Sequence, residues 1–245
     1  MTPVDVLKQK LARQRGGRVL DVATGDGDFI RVLAQALPGC TGFTGLDIRE
    51  ESLAAARRAF EEDPVGMPVD FVLGDAGAMP FVDASFDSVT ASHSLHHLAD
   101  VRAVLREMAR VLRPGGMLLL HEMFRDNQTE TQLTYVQLHD WWAELNTHQG
   151  QVHNPTFTRQ ELVTIAQDLG LEGLDLFELR DTETDPKDPE LAEFIINRNV
   201  RRLEPLSNHP GYARLAARGE ELNRRVREVG VHRPTGFVAL GRRPS

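Results

Sequence analysis

Hydrophobic positions along the chain follow two rhythms. Short apolar runs alternate with stretches in which apolar residues recur every three or four positions. The runs are Arg18–Val22 (RVLDV), Gly42–Ile48 (GFTGLDI), Val69–Leu73 (VDFVL), Phe86–Ser92 (FDSVTAS) and Met117–His121 (MLLLH), and each reads as a buried strand. Helical stretches lie between them at Phe29–Leu37, about Glu51–Glu61 and Val101–Leu112. Pro38-Gly39 and Arg113-Pro114-Gly115-Gly116 supply stops. Ahead of the first strand, residues 4–15 predict a short amphipathic helix on Val4, Leu7 and Leu11, ended by Gly16-Gly17. Apolar strands joined by helices pair in parallel through right-handed crossovers, which predicts a doubly wound α/β sheet. Ligands bind such sheets outside the carboxyl ends of the strands, at the switch point. Chemistry is therefore expected at strand ends.

The second half has a different pattern. Residues 129–147 predict a helix with Tyr135, Leu138, Trp142 and Leu145 on one stripe, and both tryptophans lie in it. Thr158-Arg159-Gln160-Glu161 has the spacing of a capping box and opens a helix running to Leu169. Leu171–Leu179 reads as a sixth strand and Gly236–Leu240 as a seventh. Helices at Pro189–Leu203 and His209–Val229 separate them; the second repeats Tyr212, Leu215, Gly219, Leu222, Val226 and Val229 at helical spacing.

Composition narrows the function classes. Hydrophobic content of 41% and charged content of 26% belong to an ordinary globular protein. No apolar run approaches the ~20 residues that span a bilayer, and the first residues lack the apolar segment of a secretory signal. Cys40 is the only cysteine, so no intrachain disulfide forms, and a reducing, cytoplasmic compartment is expected. A net charge of −8 argues against a nucleic-acid partner.

The first strand runs into Asp21-Val22-Ala23-Thr24-Gly25-Asp26-Gly27, where glycines let a ligand approach the backbone. Asp47, at the end of the second strand, suits a ribose diol. That combination fits both a nicotinamide dinucleotide and S-adenosylmethionine. Asp26 and Asp28 beside the turn would repel a pyrophosphate, and Ile30 stands where a third glycine of GxGxxG would be. Asp75 follows the third strand and can bond an adenine amino group. Ser92-His93-Ser94-Leu95-His96-His97-Leu98 follows the fourth.

The ordered set VLDVATGDG, LDI, GDAGAMPF, FDSVTASHSLHHL and VLRPGGMLLL resembles the class I S-adenosylmethionine-dependent methyltransferases, in particular the ubiquinone/menaquinone C-methyltransferase-like subgroup. The resemblance covers residues 18–121. It implies a seven-stranded Rossmann-like sheet whose last strand is antiparallel, with S-adenosylmethionine as cofactor. It also implies cofactor-binding roles for Asp21, Ala23, Gly25, Gly27, Asp47, Ile48, Asp75, Ala76, Ser92 and His97. Ala23 stands at the first glycine of the family loop and is tolerated there if the position needs no positive φ. The chain departs from the family in the insert at 185–230.

These readings give one domain over 1–245: an N-terminal helix (1–17), a cofactor core (18–125), a lid (126–157) and a C-terminal part of the sheet (158–245) carrying the helical insert as a cap. The expected function is methyl transfer by in-line displacement to a small, partly apolar acceptor enclosed by the second-half helices. A nicotinamide-dependent oxidoreductase and a catalytically silent binding protein of the same fold are the alternatives. If the acceptor must lose a proton, His93, His121 and Glu122 at the ends of strands four and five are the candidate bases, with His139 on the lid. His93, His96, His97, His121 and Glu122 also raise a metal, but without a helix-spaced pair none is expected. The tryptophans read as core or as substrate contacts, and the late helices as a lid or a homodimer interface.

Overall fold

The computed structural model describes residues 2–181 and 183–245. Among them, seven strands form one sheet. In chain order they are β1 (Gly17–Val22), β2 (Cys40–Asp47), β3 (Val69–Leu73), β4 (Phe86–Ser92), β5 (Leu112–Met123), β6 (Glu172–Leu179) and β7 (Gly236–Arg242). The spatial order is β3-β2-β1-β4-β5-β7-β6. β1 to β5 pair in parallel, and β7 lies antiparallel between β5 and β6. The order reverses between β1 and β4, which is the switch point.

Helices α1 (Pro3–Leu11), α2 (Asp28–Ala36), α3 (Glu50–Glu62), α4 (Val101–Val111) and α6 (Arg159–Asp168) accompany the sheet. Each helix buries a stripe. In α2 it is Ile30, Leu33 and Ala36; in α4 it is Val104, Leu105, Met108 and Val111. The inner residues of β1 and β5 are buried nearly without interruption, as two-sided coverage requires. Two apolar clusters result. One gathers Val22, Leu46, Met108, Leu120 and Phe124; the other gathers Leu7, Leu33, Phe43, Leu119 and Val238.

A third cluster stands apart. α5 (Glu130–His148), α7 (Pro189–Leu203) and α8 (Tyr212–Glu228) pack around Leu138, Trp141, Trp142, Leu145, Leu215 and Leu222. The Trp141 indole N–H donates to the Leu215 carbonyl at 3.1 Å, and that of Trp142 to Asn199 Oδ1 at 2.7 Å. Both rings are buried and hold the helical cap together, the core reading of the two the sequence offered. Gly219 permits this packing, since a Cβ there would meet the Trp141 ring at 2.8 Å.

Thr158 and Glu161 form the expected capping box, and Thr129 with Gln132 forms another at the start of α5. Among the boundaries that differ from expectation, two show how the turns are bonded. α1 ends at Leu11, because Gly16 and Gly17 donate instead to the carbonyls of Pro38 and Gly39. β5 begins at Leu112 and runs through Pro114-Gly115-Gly116, where Gly115 and Gly116 exchange backbone bonds with Arg243.

Candidate functional site

The carboxyl ends of β1 to β5 bring the chemistry-bearing residues together. After β1 the chain turns sharply: Ala23 has φ +54°, Gly25 +58° and Gly27 +83°. Ala23 therefore does need a positive φ. The condition on which the replacement would be free is not met, and an L residue there carries about 1 kcal/mol of strain. Gly27 ends the loop at the N-terminus of α2, where a Cβ would strike the Phe60 ring at 2.7 Å. Gly25 differs: nothing lies within 4 Å of the place its Cβ would occupy. Its backbone faces open space, as close approach of a ligand requires.

Asp21 lies beneath this loop and cannot touch a ligand directly. It is buried and accepts the hydroxyls of Thr24 at 2.7 Å and Thr90 at 2.8 Å. Burial raises its pKa to about 6 against the pull of those two hydroxyls. Its role is to hold the turn, a correction to a direct cofactor contact. Thr24 and Thr90 were not anticipated; nothing in a single sequence marks a serine or threonine as the partner of a distant acid.

Asp47 closes the other side of the cleft. Its Oδ2 accepts the Gly25 N–H and its Oδ1 the Arg49 N–H, both at 2.9 Å. Each oxygen keeps a further lone pair for a hydroxyl. Next to it Ile48 is 68% exposed, and Leu73 at the end of β3 is 52% exposed. Exposed aliphatic groups at a sheet edge suit the face of a flat aromatic base. Asp75 is exposed, with Oδ1 accepting the Gly77 N–H at 2.7 Å, and Ala76 is buried beside it. The residues present thus fit a nucleoside: an open glycine, a diol acceptor, an apolar platform and an acid for an exocyclic amine.

The ends of β4 and β5 carry the candidate bases. Ser92 Oγ is 3.0 Å from His121 Nδ1. The His93 and His121 rings lie 4.3 Å apart, and Phe29 of α2 flanks His121 at 5.9 Å. Burial, reinforced by His93, pushes the His121 pKa well below its ordinary value, so its ring is neutral near pH 7. His93 is the more open of the two, with 42% of its side chain exposed, and it stands at φ +48°.

Glu122 does not fit the part of a base. It is 1% exposed. Oε2 accepts the Leu95 N–H at 2.9 Å; Oε1 accepts the Met123 N–H at 2.9 Å and faces His96 Nδ1 at 3.1 Å. Burial alone would raise its pKa, but His96 and His93 hold it well below the usual carboxylate range. It supports the histidine turn Leu95–His97 from within, and His93 Nδ1 stands 3.7 Å from its Oε1. His97 is exposed and rests against the His153 ring at 4.2 Å, on the cap side of that turn. His96 points inward, where it meets His139 of α5 and His153.

A surface cleft of about 760 Å³ lies elsewhere. It is lined by Arg18, Val69 and Phe86, which stand at the amino ends of strands, so it is not where such a sheet binds its ligand.

Part of the chain is similar to known methyltransferases. Residues 20–120 match the family model of a methyltransferase domain. A demethylmenaquinone methyltransferase of Roseiflexus castenholzii is 40% identical over 112 residues, covering 46% of this chain and 45% of the relative. The O-methyltransferase rstn1 of Aspergillus nomiae is 36% identical over 118 residues, 48% of this chain and 52% of the relative. The match thus spans about half the length of these curated relatives. Among solved structures, the 4+2-cyclase SpnF superposes with a TM-score of 0.65 at 22% identity, over 98% of this chain and 79% of that one. That likeness is one of fold.

Proposed function

We propose that the chain, whose residues 20–120 match the methyltransferase-domain family model, transfers a methyl group from S-adenosylmethionine to a small, partly apolar acceptor. The observation that carries the reading is the Gly25–Asp47 pair. An open backbone at φ +58° and a carboxylate 2.9 Å from its N–H meet at the switch point of the sheet. Asp47 would take the ribose, Ile48 and Ala76 the adenine faces, and Asp75 its amino edge. Gly25 and Gly27 would admit the amino-acid part, on a loop held from beneath by Asp21 and bent at Ala23. Ser92 and His97 would border the methyl side.

S-adenosylmethionine supplies a methyl group already activated on a sulfonium. The chain's residues then need chiefly to hold the acceptor in line and exclude water, an effect worth up to ~7–11 kcal/mol in favourable cases. Segment 126–157 and the insert 185–230 serve as the cover. Where the acceptor carries a proton to lose, neutral His121 takes it at Nε2 in the tautomer whose Nδ1–H donates to Ser92 Oγ. His93, the more exposed ring, orients the acceptor.

Exposed Asp26 and Asp28 at the start of α2 oppose a dinucleotide pyrophosphate there. The net charge of −8 supports an acceptor that is not a nucleic acid. No helix among the described residues is long and apolar enough to cross a membrane. The lone Cys40 is in keeping with action in the cytoplasm.

The test is calorimetric titration of the purified chain with S-adenosylhomocysteine and, separately, with NAD, followed by transfer of labelled methyl into metabolite extracts. Binding of the first ligand only, and incorporation of label into a small molecule, are expected. No heat at millimolar S-adenosylhomocysteine would overturn the cofactor. Binding without transfer to any acceptor would leave a silent member of the fold.

A further inference from the structure

Beside the cleft, three buried histidines converge from three separate segments. His96 comes from the turn after β4, His139 from the middle of α5, and His153 from the extended stretch that follows α5; they are 2%, 7% and 9% exposed. One nitrogen from each lies within 4.8 Å of the other two. We propose that His96, His139 and His153 form a binding site for a single divalent transition-metal ion of the zinc type, which fastens the helical cap to the carboxyl edge of the sheet.

The hydrogen bonding fits that role ring by ring. Glu122 sits 3.1 Å from His96 Nδ1. A buried carboxylate there takes the Nδ1 proton and leaves the Nε2 lone pair free, the usual backing of a metal-bound imidazole. Asn146 Nδ2 stands 2.9 Å from His153 Nδ1; turning the amide over would put Oδ1 there to take the Nδ1 proton, in exchange for the 3.3 Å bond that Oδ1 now accepts from Arg202. Nε2 of His153 and Nε2 of His139 then face each other at 3.3 Å. Two nitrogens bound to one tetrahedral zinc at about 2.0–2.1 Å are separated by about 3.3 Å. Without an ion, this contact is one N–H···N bond at best, and His139 Nδ1 is buried with no partner. An ion held at Nε2 would leave that atom as it is, so the facing Nε2 pair carries the site.

The surroundings hold the ligands in place. Asn154 donates its backbone N–H to the His96 carbonyl at 2.8 Å and its side chain to the Leu98 carbonyl at 3.0 Å, so the segment bearing His153 is strapped to the turn bearing His96. Three neutral nitrogen ligands favour zinc, cobalt, nickel or copper over magnesium or calcium, and they leave one position open. His93 and His121, which belong to the methyl-transfer reading, are not ligands. The site therefore stands or falls independently of that reading. From the sequence His96 was grouped with His93, His97, His121 and Glu122 and no metal was expected; His139 and His153 lie in parts of the chain that only the cap packing brings to His96.

The experiment uses the full chain with any polyhistidine tag removed. After chelator treatment and dialysis, it is titrated with zinc alone, and bound metal is measured by elemental analysis. Cobalt is substituted in parallel. Expected are one equivalent of zinc, a higher melting temperature in its presence, and the visible bands of four-coordinate cobalt. His153→Gln and His139→Gln should each weaken zinc binding at least tenfold, whereas His148→Gln, outside the cluster, should not. Well under one equivalent bound by the folded parent chain, or a cobalt spectrum of octahedral aquo type, would overturn the site. So would zinc affinity unchanged in both cluster variants, and the parent-chain measurements decide even if a variant fails to fold.

Discussion

Asp47→Ala separates cofactor binding from folding most sharply. The carboxylate is 6% exposed and accepts two backbone N–H groups, from Gly25 and Arg49, each at 2.9 Å. Truncation leaves both donors without their charged acceptor. Such a bond is worth ~1.5–3 kcal/mol when fully enclosed, but these two are only partly buried and water can replace the oxygen, so a loss of about 1–3 kcal/mol of stability in total is expected. The ribose contact is a separate quantity. Two hydroxyls on one carboxylate should be worth at least about 1.4 kcal/mol, which is a tenfold loss of affinity. Asp47→Asn is the control, because it keeps one acceptor oxygen and the side-chain shape. The ordering of S-adenosylhomocysteine affinity should be parent, then Asn, then Ala. Calorimetry measures it well below the melting temperature of all three, with thermal unfolding run alongside. If the Ala variant is folded and binds within twofold of the parent, Asp47 does not hold the ribose.

Three further outcomes are expected. Asp21 has a folded pKa of about 6, above its unfolded value of 3.8, so its favourable contribution is present below about pH 3.8 and is lost as pH rises through 6. The stability of the parent relative to Asp21→Asn should accordingly fall by about 1.4 kcal/mol between pH 5 and pH 7.5, read from urea midpoints; a pH-independent difference would refute the buried-acid account. Trp142→Ala should cost about 3–5 kcal/mol through the cap core, while Trp142→Phe should cost about 1–3 kcal/mol by stranding Asn199 Oδ1, and chemical denaturation should rank them so. Ala23→Gly should relieve the strain of φ +54° and raise stability by up to about 1 kcal/mol; a lower melting temperature would show that the alanine methyl makes a compensating contact.

The local grammar of the chain determined the sheet and the positions of its ligand-facing ends. Strand periodicity and helix stops placed β1 to β5, because such signals lie within a few residues of one another. The turn at Gly25 and the acids Asp47 and Asp75 were legible for the same reason: each follows directly from a strand. The capping box at Thr158 was equally local. What the sequence withheld is what depends on side chains meeting across the fold. Asp21 became a buried support because Thr90, on the neighbouring strand, reaches it. Glu122 lost its candidacy as a base because the Leu95 turn folds over it. The tryptophans turned into a helical core only when α7 and α8 closed on α5. His96, His139 and His153 carry no pattern at all until tertiary packing gathers them. Backbone conformation is governed largely by neighbours in the chain, whereas the protonation, burial and partners of a functional group are set by neighbours in space.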